Sequence, residues 1–353
     1  MAPGYRIERR RDRLTEARIE PIDLAPGEGE IVAHVEMVSL TSNNVTYAVH
    51  GGAPLHYWDF FPASGPEWGV VPVWGFATVA ESRRPDIAVG ARFFGYWPSA
   101  TQLRLQPGPL KAGGFADMAP HRQGLAPVYN HYRPAGGVAD RRSDELMALF
   151  QPLYGTGHVL AEALRADAEA GRHLILTSAS SKTALATAWN LARAGHPPIG
   201  LTSARNREFV EATGYYRAVL GYEELGELDG GAPSVLVDFA GNGALRTALH
   251  RHLQALTASH AIGDTDWKAP PAAGLPGPQP QFFFAPTHWE AQARAQGPAA
   301  FEADLAASRD AFAESTRGWL ELEHVSGADA GIAAFDRLMA GEVSPREGLI
   351  WRP

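Results

Sequence analysis

The sequence of 353 residues contains no cysteine. Disulfide bonds, thiol nucleophiles, iron–sulfur clusters and every zinc site that needs a thiolate ligand are therefore excluded. No apolar run reaches the ~20 residues of a membrane-spanning helix, and the first residues lack the apolar core of a signal peptide. We therefore expect a cytoplasmic protein with no membrane partner.

Positive charge is also scarce. Lysine and arginine number 31 against 39 aspartate and glutamate residues, which gives a net charge of −8. A nucleic-acid-binding surface needs an excess of basic residues, so we expect no nucleic-acid partner. The local cluster of Arg9, Arg10, Arg11 and Arg13 is predicted to be a solvated edge. The expected partner is a small-molecule substrate.

The first 130 residues are rich in glycine, proline and aromatic residues. Residues 31–38 alternate between apolar and polar positions as a strand does, and residues 69–80 and 92–97 have the composition of further strands. Many short strands with glycine and proline between them indicate a small barrel or sandwich.

From about residue 143 the pattern changes to alternating helices and strands. The predicted helices are 144–150, 157–170, 183–194 and 208–213, and the predicted strands are 174–177, 198–202 and 234–239. Strands that alternate with helices indicate a parallel sheet with covering helices. The length of the chain agrees with two domains.

The last third of the chain has a mixed composition. Residues 265–300 are rich in proline, glycine, alanine and glutamine, so we expect a loop there, except for a strand at 281–284 that Pro286 ends. Helices are predicted to resume at 298–316 and 327–340. Residues 349–351 have the composition of a closing strand.

A strand, then Ser178-Ala179-Ser180-Ser181-Lys182-Thr183-Ala184, then a helix is the order of a nucleotide-binding unit. Amide groups at the first turn of a helix attract phosphate, and here small residues stand where glycines usually let the backbone approach it. The side chains predicted to bind a pyrophosphate are Ser178, Ser180, Ser181, Lys182 and Thr183. The alternative is an ordinary N-capped helix.

The second strand of this region is followed by Thr202-Ser203-Ala204-Arg205-Asn206-Arg207. Folds that bind NAD place an acidic residue at this point to bond the ribose hydroxyl groups, but no carboxylate precedes Glu208. Ser203, Arg205 and Arg207 suit a 2′-phosphate, because arginine pairs with phosphate as a rigid fork. NADP(H) is therefore the predicted cofactor, and a basic helix start is the alternative. A later acidic run is predicted to be a solvated face; its members are Glu223, Glu224, Glu227 and Asp229.

The order of these features resembles the medium-chain dehydrogenase/reductase superfamily, and more narrowly its zinc-independent quinone oxidoreductase and enoyl reductase branch. It is also similar to an uncharacterised bacterial family within that superfamily that is classed as a domain of unknown function. The resemblance is carried by P-G-E-G-E-I-V at 26–32, D-I-A-V-G-A-R-F-F-G at 86–95, T-S at 202–203 and V-D-F-A-G-N at 237–242.

The resemblance implies an α/β protein with two domains. A GroES-like β-barrel substrate domain would comprise residues 1–142 and 310–353, and a doubly wound Rossmann NADP-binding domain would comprise residues 143–309. A homodimer is a further expectation. Zinc-dependent members carry Gly-His-Glu where this chain has Gly75-Phe76-Ala77, which cannot bind a metal, so we expect no metal site.

The resemblance also implies catalytic residues. The segment from Thr41 to Tyr47 resembles an active-site loop beside the nicotinamide, where Asn44 and Tyr47 can donate hydrogen bonds. Tyr57 falls near the position of a catalytic tyrosine in enoyl reductases and is the leading candidate for a proton donor. The alternatives are a polar turn for the asparagine and aromatic core packing for the two tyrosines.

Four more cofactor contacts follow from the resemblance. Thr156 is expected near a phosphate or ribose, Tyr222 near the 2′-phosphate, Asn242 near the ribose and Phe284 beside the nicotinamide. The alternatives are a helix cap for Thr156, a packed surface tyrosine for Tyr222 and a buried strand for Phe284. The predicted function is zinc-independent, NADP(H)-dependent hydride transfer to or from an enone, quinone or carbonyl substrate. The alternative is an NADP(H)-binding sensor or scaffold without turnover.

Overall fold

The computed structural model describes residues 4–137, 140–263 and 274–353. The chain divides into two compact units, one formed by Met1–Pro152 and Trp319–Pro353 and the other by Leu153–Gly318. The boundaries lie after Pro152 and Gly318, whereas the sequence placed them after residues 142 and 309.

The strands of the described residues are, in chain order, β1 (Gly4–Arg10), β2 (Ala17–Ile22), β3 (Ile31–Leu40), β4 (Trp68–Gly69), β5 (Pro72–Ser82), β6 (Arg92–Pro98), β7 (Gln102–Leu105), β8 (Phe115–Ala116), β9 (His131–Ala135), β10 (His173–Leu176), β11 (Ile199–Thr202), β12 (Ala218–Gly221), β13 (Ser234–Asp238), β14 (Leu256–Ala261), β15 (Gln281–Phe282), β16 (Glu321–Ser326) and β17 (Glu347–Arg352). The α-helices of these residues are α1 (Ser42–Val49), α2 (Arg141–Ala163), α3 (Arg165–Glu169), α4 (Lys182–Arg193), α5 (Arg207–Thr213), α6 (Gly243–His252), α7 (Ala285–Gln296), α8 (Pro298–Ser315) and α9 (Ala328–Ala340).

The first unit is built on a mixed sheet of eight strands. Its order is β16-β17-β3-β5-β6-β9-β8, and β7 pairs with β3 off this path. A smaller antiparallel sheet has the order β2-β1-β4. The closing strand predicted at 349–351 is confirmed, because Leu349 pairs with Leu40 and Trp351 pairs with Val38. This pairing places β17 beside β3, which pairs with β5 on its other side.

Close contact between β3 and β5 depends on Gly75. A Cβ atom at this position would lie 2.1 Å from the carbonyl oxygen of Met37 and 2.6 Å from the Cα of Val38. Both of these are backbone atoms, so they cannot rotate away. Phe76, the next residue, is buried and its ring contacts that of Phe94.

The second unit is built on a parallel sheet of six strands. Its order is β12-β11-β10-β13-β14-β15, and every neighbouring pair is parallel. Counted within the unit this is the order 3-2-1-4-5-6 of the doubly wound fold, in which ligands bind where the strand order reverses. The reversal lies between β10 and β13. Both strands are continuous apolar runs that are buried on two faces, as a covered parallel sheet requires.

The expected fold class is therefore confirmed, but two sequence predictions about helices were wrong. The helices expected at 144–150 and 157–170 are one continuous helix, α2, followed by the short α3, although α2 contains Pro152. Proline removes one helical hydrogen bond, and the burial of Leu149, Phe150, Leu153 and Tyr154 on both sides of it offsets that loss.

The other correction concerns the loop expected at 265–300. Residues 264–273 lie outside the described part of the chain, but Ala285–Gln296 form helix α7. Pro286 lies in its first turn, where proline is tolerated because the amide there has no helical partner, and the alanines and glutamines that follow favour a helix. The predicted strand is shortened to Gln281–Phe282.

In the three described stretches of the chain, no helix has the length and the apolar character that crossing a membrane requires.

Replacing Gly75 with alanine is expected to lower the free energy of unfolding by about 1–3 kcal/mol, because the added methyl group overlaps the backbone of β3. Urea unfolding followed by tryptophan fluorescence measures this. Gly52→Ala is the matched control, since a Cβ there meets nothing within 4 Å. Equal midpoints for the two variants would contradict the steric argument.

Candidate functional site

A buried hydrogen-bond network joins the ends of β10 and β13, where the strand order reverses. The Thr177 hydroxyl donates to Oδ1 of Asp238 at 2.6 Å and accepts the amides of Phe239 at 2.9 Å and Ala240 at 3.1 Å. Nε of Arg246 donates to the other carboxylate oxygen at 2.6 Å. Thr177 and Asp238 are almost fully buried. The network therefore fixes the backbone on both sides of the crevice in which doubly wound folds bind ligands.

The turn that follows β10 begins with Ser178 in a left-handed conformation, with φ of +47°. This conformation usually requires glycine, because a Cβ is crowded by the following carbonyl. The carbonyl of Ser178 accepts the amide of Ser181 at 2.8 Å, and the amide of Ala179 donates to Leu201 of β11 at 3.0 Å. A tight turn of glycine type is thus formed without glycine.

Helix α4 begins directly after this turn. The Ser181 hydroxyl accepts the amide of Ala184 at 3.3 Å and so acts as the N-cap, while Lys182 and Thr183 are the first helical residues. The N-cap predicted as the alternative is therefore present. It satisfies one of the amides at the helix start and leaves the positive end of the helix dipole at this edge of the sheet.

The turn after β11 carries the predicted 2′-phosphate residues. Ser203 is the N-cap of a short 3-10 helix, Ala204–Asn206, on which Arg205 is exposed. Nδ2 of Asn206 donates to the hydroxyl of Ser180 at 3.0 Å. This bond joins the β11 turn to the turn at the start of α4, so Ser180, Ser203 and Arg205 belong to one edge of the sheet.

Arg207, the first residue of α5, is held by two carboxylates: Glu211, one turn along the same helix, and Glu224, which local sequence does not place there. Nη1 lies 2.8 and 2.6 Å from the two carboxylate oxygens of Glu224, and Nε lies 2.9 Å from Oε1 of Glu211. The amide of Gly221 and the guanidinium of Arg207 lower the pKa of Glu224, which is therefore charged at neutral pH. Glu224 thus lies at the surface, 34% exposed, but is paired with Arg207 rather than solvated alone.

Tyr222 precedes Glu224 by two residues and lies at the same edge. Its hydroxyl accepts the amide of Ser178 at 3.1 Å. The short 3-10 helix Tyr222–Glu227 after β12 is thereby tied to the turn after β10. The structure thus joins Tyr222, expected near the 2′-phosphate, to Ser178, expected at the pyrophosphate.

The other three predicted cofactor residues lie elsewhere in this unit. Asn242 is the N-cap of α6, immediately after β13, and its Oδ1 accepts the amide of Leu245 at 2.9 Å. Phe284 follows β15 at the end of the sheet order. Thr156 lies inside α2 rather than at a helix cap, one residue before Gly157, where a Cβ would lie 2.7 Å from the Cβ of Ala186 in α4.

The three catalytic candidates lie in the first unit, in and around a cluster of aromatic rings. Tyr47, Tyr57, Tyr96 and Tyr129 pack with ring centroids 4.5–6.2 Å apart, and Trp74 contacts Tyr96 and Tyr129. Tyr57 is 6% exposed, on the short 3-10 helix Tyr57–Phe60. The residue before that helix, His56, has φ of +58°, an unusual conformation for a residue with a Cβ.

Two side-chain N–H groups set the hydrogen bonding of Tyr47. Nδ2 of Asn43 at 2.7 Å and Nε1 of Trp74 at 3.1 Å both donate to the Tyr47 hydroxyl, and neither group can accept. The Tyr47 oxygen is therefore the acceptor of both bonds. The hydroxyls of Tyr129 and Tyr57 lie 3.3 Å apart, and either of them can be the donor.

Burial raises the pKa of three tyrosines of this cluster. Desolvation is the main cause for Tyr47, Tyr57 and Tyr129, and the bond from Tyr129 acts in the opposite direction on Tyr57. All three phenols therefore keep their protons at neutral pH. The hydroxyl of Tyr96 is buried in the same cluster and has no hydrogen-bond partner among the described residues.

Asn44 uses both ends of its amide within the fold. Its Oδ1 accepts the amide of Thr41 at 2.7 Å, which completes the N-terminal cap of α1, and its Nδ2 donates to the carbonyl of Pro72 at 2.9 Å. Asn44 therefore lies in the first turn of a helix, where the sequence predicted a loop or a polar turn, and its bonds join α1 to the start of β5. The donor role proposed for Asn44 competes with these two bonds.

Sequence reasoning missed three residues of these two clusters. Asn206 lies between Arg205 and Arg207, which were predicted to bind phosphate, and Tyr129 belongs to none of the motifs of the sequence. Glu224 carries a recognisable signal, since it stands three residues after Gly221 as the last member of a capping box. That pattern predicts a carboxylate folded back onto the backbone rather than one in solvent.

The described residues contain no group of three or more histidine, aspartate or glutamate side chains that could hold a metal ion.

Comparison with known proteins shows the following. The model of a family described as "Protein of unknown function (DUF2855)" matches residues 38–344. A search of curated proteins by sequence found no significant match.

Solved structures that resemble the chain share its fold at low sequence identity. CurA from Vibrio vulnificus in complex with NADPH has a TM-score of 0.60 at 14% identity, with 95% of this chain and 94% of that chain covered. Mycobacterial Rv1454c complexed with NADPH has a TM-score of 0.62 at 16% identity, with 99% and 100% covered. CurK enoyl reductase has a TM-score of 0.56 at 13% identity, with 99% of each chain covered.

The left-handed turn at Ser178 generates a prediction about stability. Ser178→Gly removes the crowded Cβ but increases the conformational entropy of the unfolded chain. It is therefore expected to leave the free energy of unfolding unchanged or to raise it by up to about 1 kcal/mol. Ser178→Val is expected to lower it by about 1–3 kcal/mol. Urea unfolding of both variants tests this, and equal losses would show that the turn is not strained.

Proposed function

The chain belongs to the family described as "Protein of unknown function (DUF2855)", and from that premise we propose that it is a zinc-independent, NADP(H)-dependent oxidoreductase. The proposed reaction moves hydride to or from an enone, quinone or carbonyl substrate. The observation that carries it is the joined edge of the parallel sheet, where Tyr222 and Asn206 bond to the turn that opens α4. Solved structures with the same fold include two NADPH complexes and an enoyl reductase, which supports the proposal.

The proposed pyrophosphate site is the start of α4. Amides of the first helical turn and the end of the helix dipole favour an anion there, and Lys182 adds a positive charge. The hydroxyls of Ser178, Ser180 and Thr183 are the proposed side-chain donors. Ser181 contributes by capping the helix and so orients the amides that follow it.

The proposed 2′-phosphate site is the turn after β11 together with the start of the 3-10 helix after β12. Ser203, Arg205, Arg207 and Tyr222 would hold the phosphate. Arginine suits a dianion because its donors form a planar fork. Thr156, Asn242 and Phe284 stay predicted contacts to the rest of the cofactor.

Tyr57 is the proposed proton donor. A bound nicotinamide supplies or accepts the hydride, and the protein orients the reactants and stabilises charge. When hydride adds to an enone or carbonyl, the Tyr57 hydroxyl gives its proton to the developing anion, which becomes the neutral product. The Tyr129 hydroxyl, 3.3 Å from that of Tyr57, can donate to the phenolate that remains and stabilise it. Tyr47 packs against Tyr57, with the ring centroids 4.5 Å apart.

A second candidate function is an NADP(H)-binding sensor without turnover. The observation in its favour is the burial of Tyr57, which leaves 6% of the residue exposed. Stoichiometric NADPH binding with no turnover of a panel of enones, quinones and aldehydes would support the sensor. A cytoplasmic location and a homodimer remain predictions.

Replacing both Arg205 and Arg207 with alanine is expected to raise the Kd for NADPH by about 10- to 100-fold, because each lost bond to a charged phosphate is worth about 1.5–3 kcal/mol and Arg207 is shared with carboxylates. The Kd for NADH, which has no 2′-phosphate, is expected to stay within about twofold. Fluorescence titration measures both constants.

The matched control is the double variant Arg165→Ala, Arg251→Ala. It removes the same charge from two exposed arginines of the same unit that lie on helices leading into the amino ends of β10 and β14, away from the carboxyl ends of the strands. Equal weakening of NADPH and NADH by the Arg205, Arg207 variant would reject the proposed 2′-phosphate site.

Tyr57→Phe is expected to lower the rate of substrate reduction by about 10²- to 10⁴-fold, the usual contribution of a positioned acid, with NADPH binding unchanged. Tyr96→Phe is the control, since that buried hydroxyl has no hydrogen-bond partner among the described residues. The pKa of Tyr57 is raised above its ordinary value of 10.0, and the protonated form is the active one. The wild-type rate therefore falls only as pH rises above about 10, and a full rate in Tyr57→Phe would reject the assignment.

A further inference from the structure

The surroundings of Arg207 carry more negative than positive charge. Both carboxylate oxygens of Glu224 lie within 2.8 Å of its Nη1, and Glu211 bonds to its Nε. One guanidinium between two carboxylates has a net charge of −1. The Arg207 and Glu224 side chains are 37% and 34% exposed, so an anion from solvent can reach this pair.

The fold holds Glu224 in place independently of Arg207. Its Oε2 accepts the amide of Gly221 at 2.8 Å, and the residue follows Tyr222 on the same short 3-10 helix. Tyr222 is in turn bonded to the Ser178 amide. Movement of the arginine therefore leaves the carboxylate at the edge of the predicted nucleotide site.

We infer that Glu224 is a specificity-determining residue that competes with the 2′-phosphate of NADP(H) for Arg207 and so narrows the preference for NADP(H) over NAD(H). The inference rests on the proposed function. A 2′-phosphate that pairs with Arg207 must displace Glu224 or lie beside it, and like charges at that distance repel.

The same carboxylate suits the other cofactor. Folds that bind NAD use an acidic side chain to accept a hydrogen bond from the ribose hydroxyl. The segment after β11 lacks such a residue, but Glu224 reaches Arg207 from the segment after β12. The site therefore combines a phosphate-binding arginine with a ribose-type acceptor and is expected to admit both nucleotides.

Glu224→Gln tests the inference. Glutamine keeps an oxygen for the Gly221 amide and removes the charge. The Kd for NADPH is expected to fall about tenfold, while the Kd for NADH is expected to rise about two- to fivefold, because a neutral amide oxygen accepts the ribose hydroxyl less strongly than a carboxylate. Glu227→Gln is the matched control, because it removes one charge from an exposed position of the same 3-10 helix. Fluorescence or calorimetric titration of the full chain with each nucleotide provides both constants.

A double variant separates the effect on Arg207 from a general change of charge. Adding Arg207→Gln to Glu224→Gln is expected to abolish the gain in NADPH affinity, because that gain comes from freeing Arg207. If the wild type binds NADPH, and Glu224→Gln and Glu227→Gln show the same ratio of NADPH to NADH affinity, the inference is rejected and the proposed function stands. Binding of neither nucleotide by any variant would reject the proposed function, and the inference with it.

Discussion

The hydrogen bond between the Thr177 hydroxyl and the Asp238 carboxylate is the constraint on which the nucleotide edge depends. It joins the two central strands of a parallel sheet where the strand order reverses, and it is buried on all sides. The same groups fix the amides of Phe239 and Ala240 and the side chain of Arg246. A buried polar network of this kind persists only when every member is bonded, so the crevice has little freedom to close.

Around that fixed point the protein replaces the usual chemistry of a dinucleotide site with other side chains. Ser178 adopts a conformation that glycine usually supplies, and Ser181 caps the helix whose amides face the site. Arg207 provides positive charge, but Glu224 and Glu211 compensate it. In the other unit, two donors that cannot accept a hydrogen bond make the Tyr47 hydroxyl oxygen an acceptor. In both units, the hydrogen-bond and ion-pair partners of a candidate residue determine which chemical role it can take.

The fold was largely predictable from the sequence, and the site only in part. Alternating strands and helices indicate a parallel sheet, because a short, largely apolar run such as 234–239 is typical of a strand that helices cover on both faces. Contacts from distant segments are different: nothing near Arg207 predicts that Glu224 will pair with it, and nothing near Tyr57 predicts Tyr129. Proline is unfavourable inside a helix, so the local sequence does not predict that α2 continues through Pro152. Burial of the flanking apolar residues outweighs the lost hydrogen bond there.

The central claim is that the edge of the parallel sheet binds NADP(H), and calorimetric titration of the unmodified chain with NADPH and with NADH tests it most directly. The account predicts saturable binding of one NADPH per chain, with weaker but measurable binding of NADH at the same site. Absence of heat with both nucleotides, for a folded chain at concentrations well above the micromolar range, would contradict it. The edge would then be a scaffold without a nucleotide.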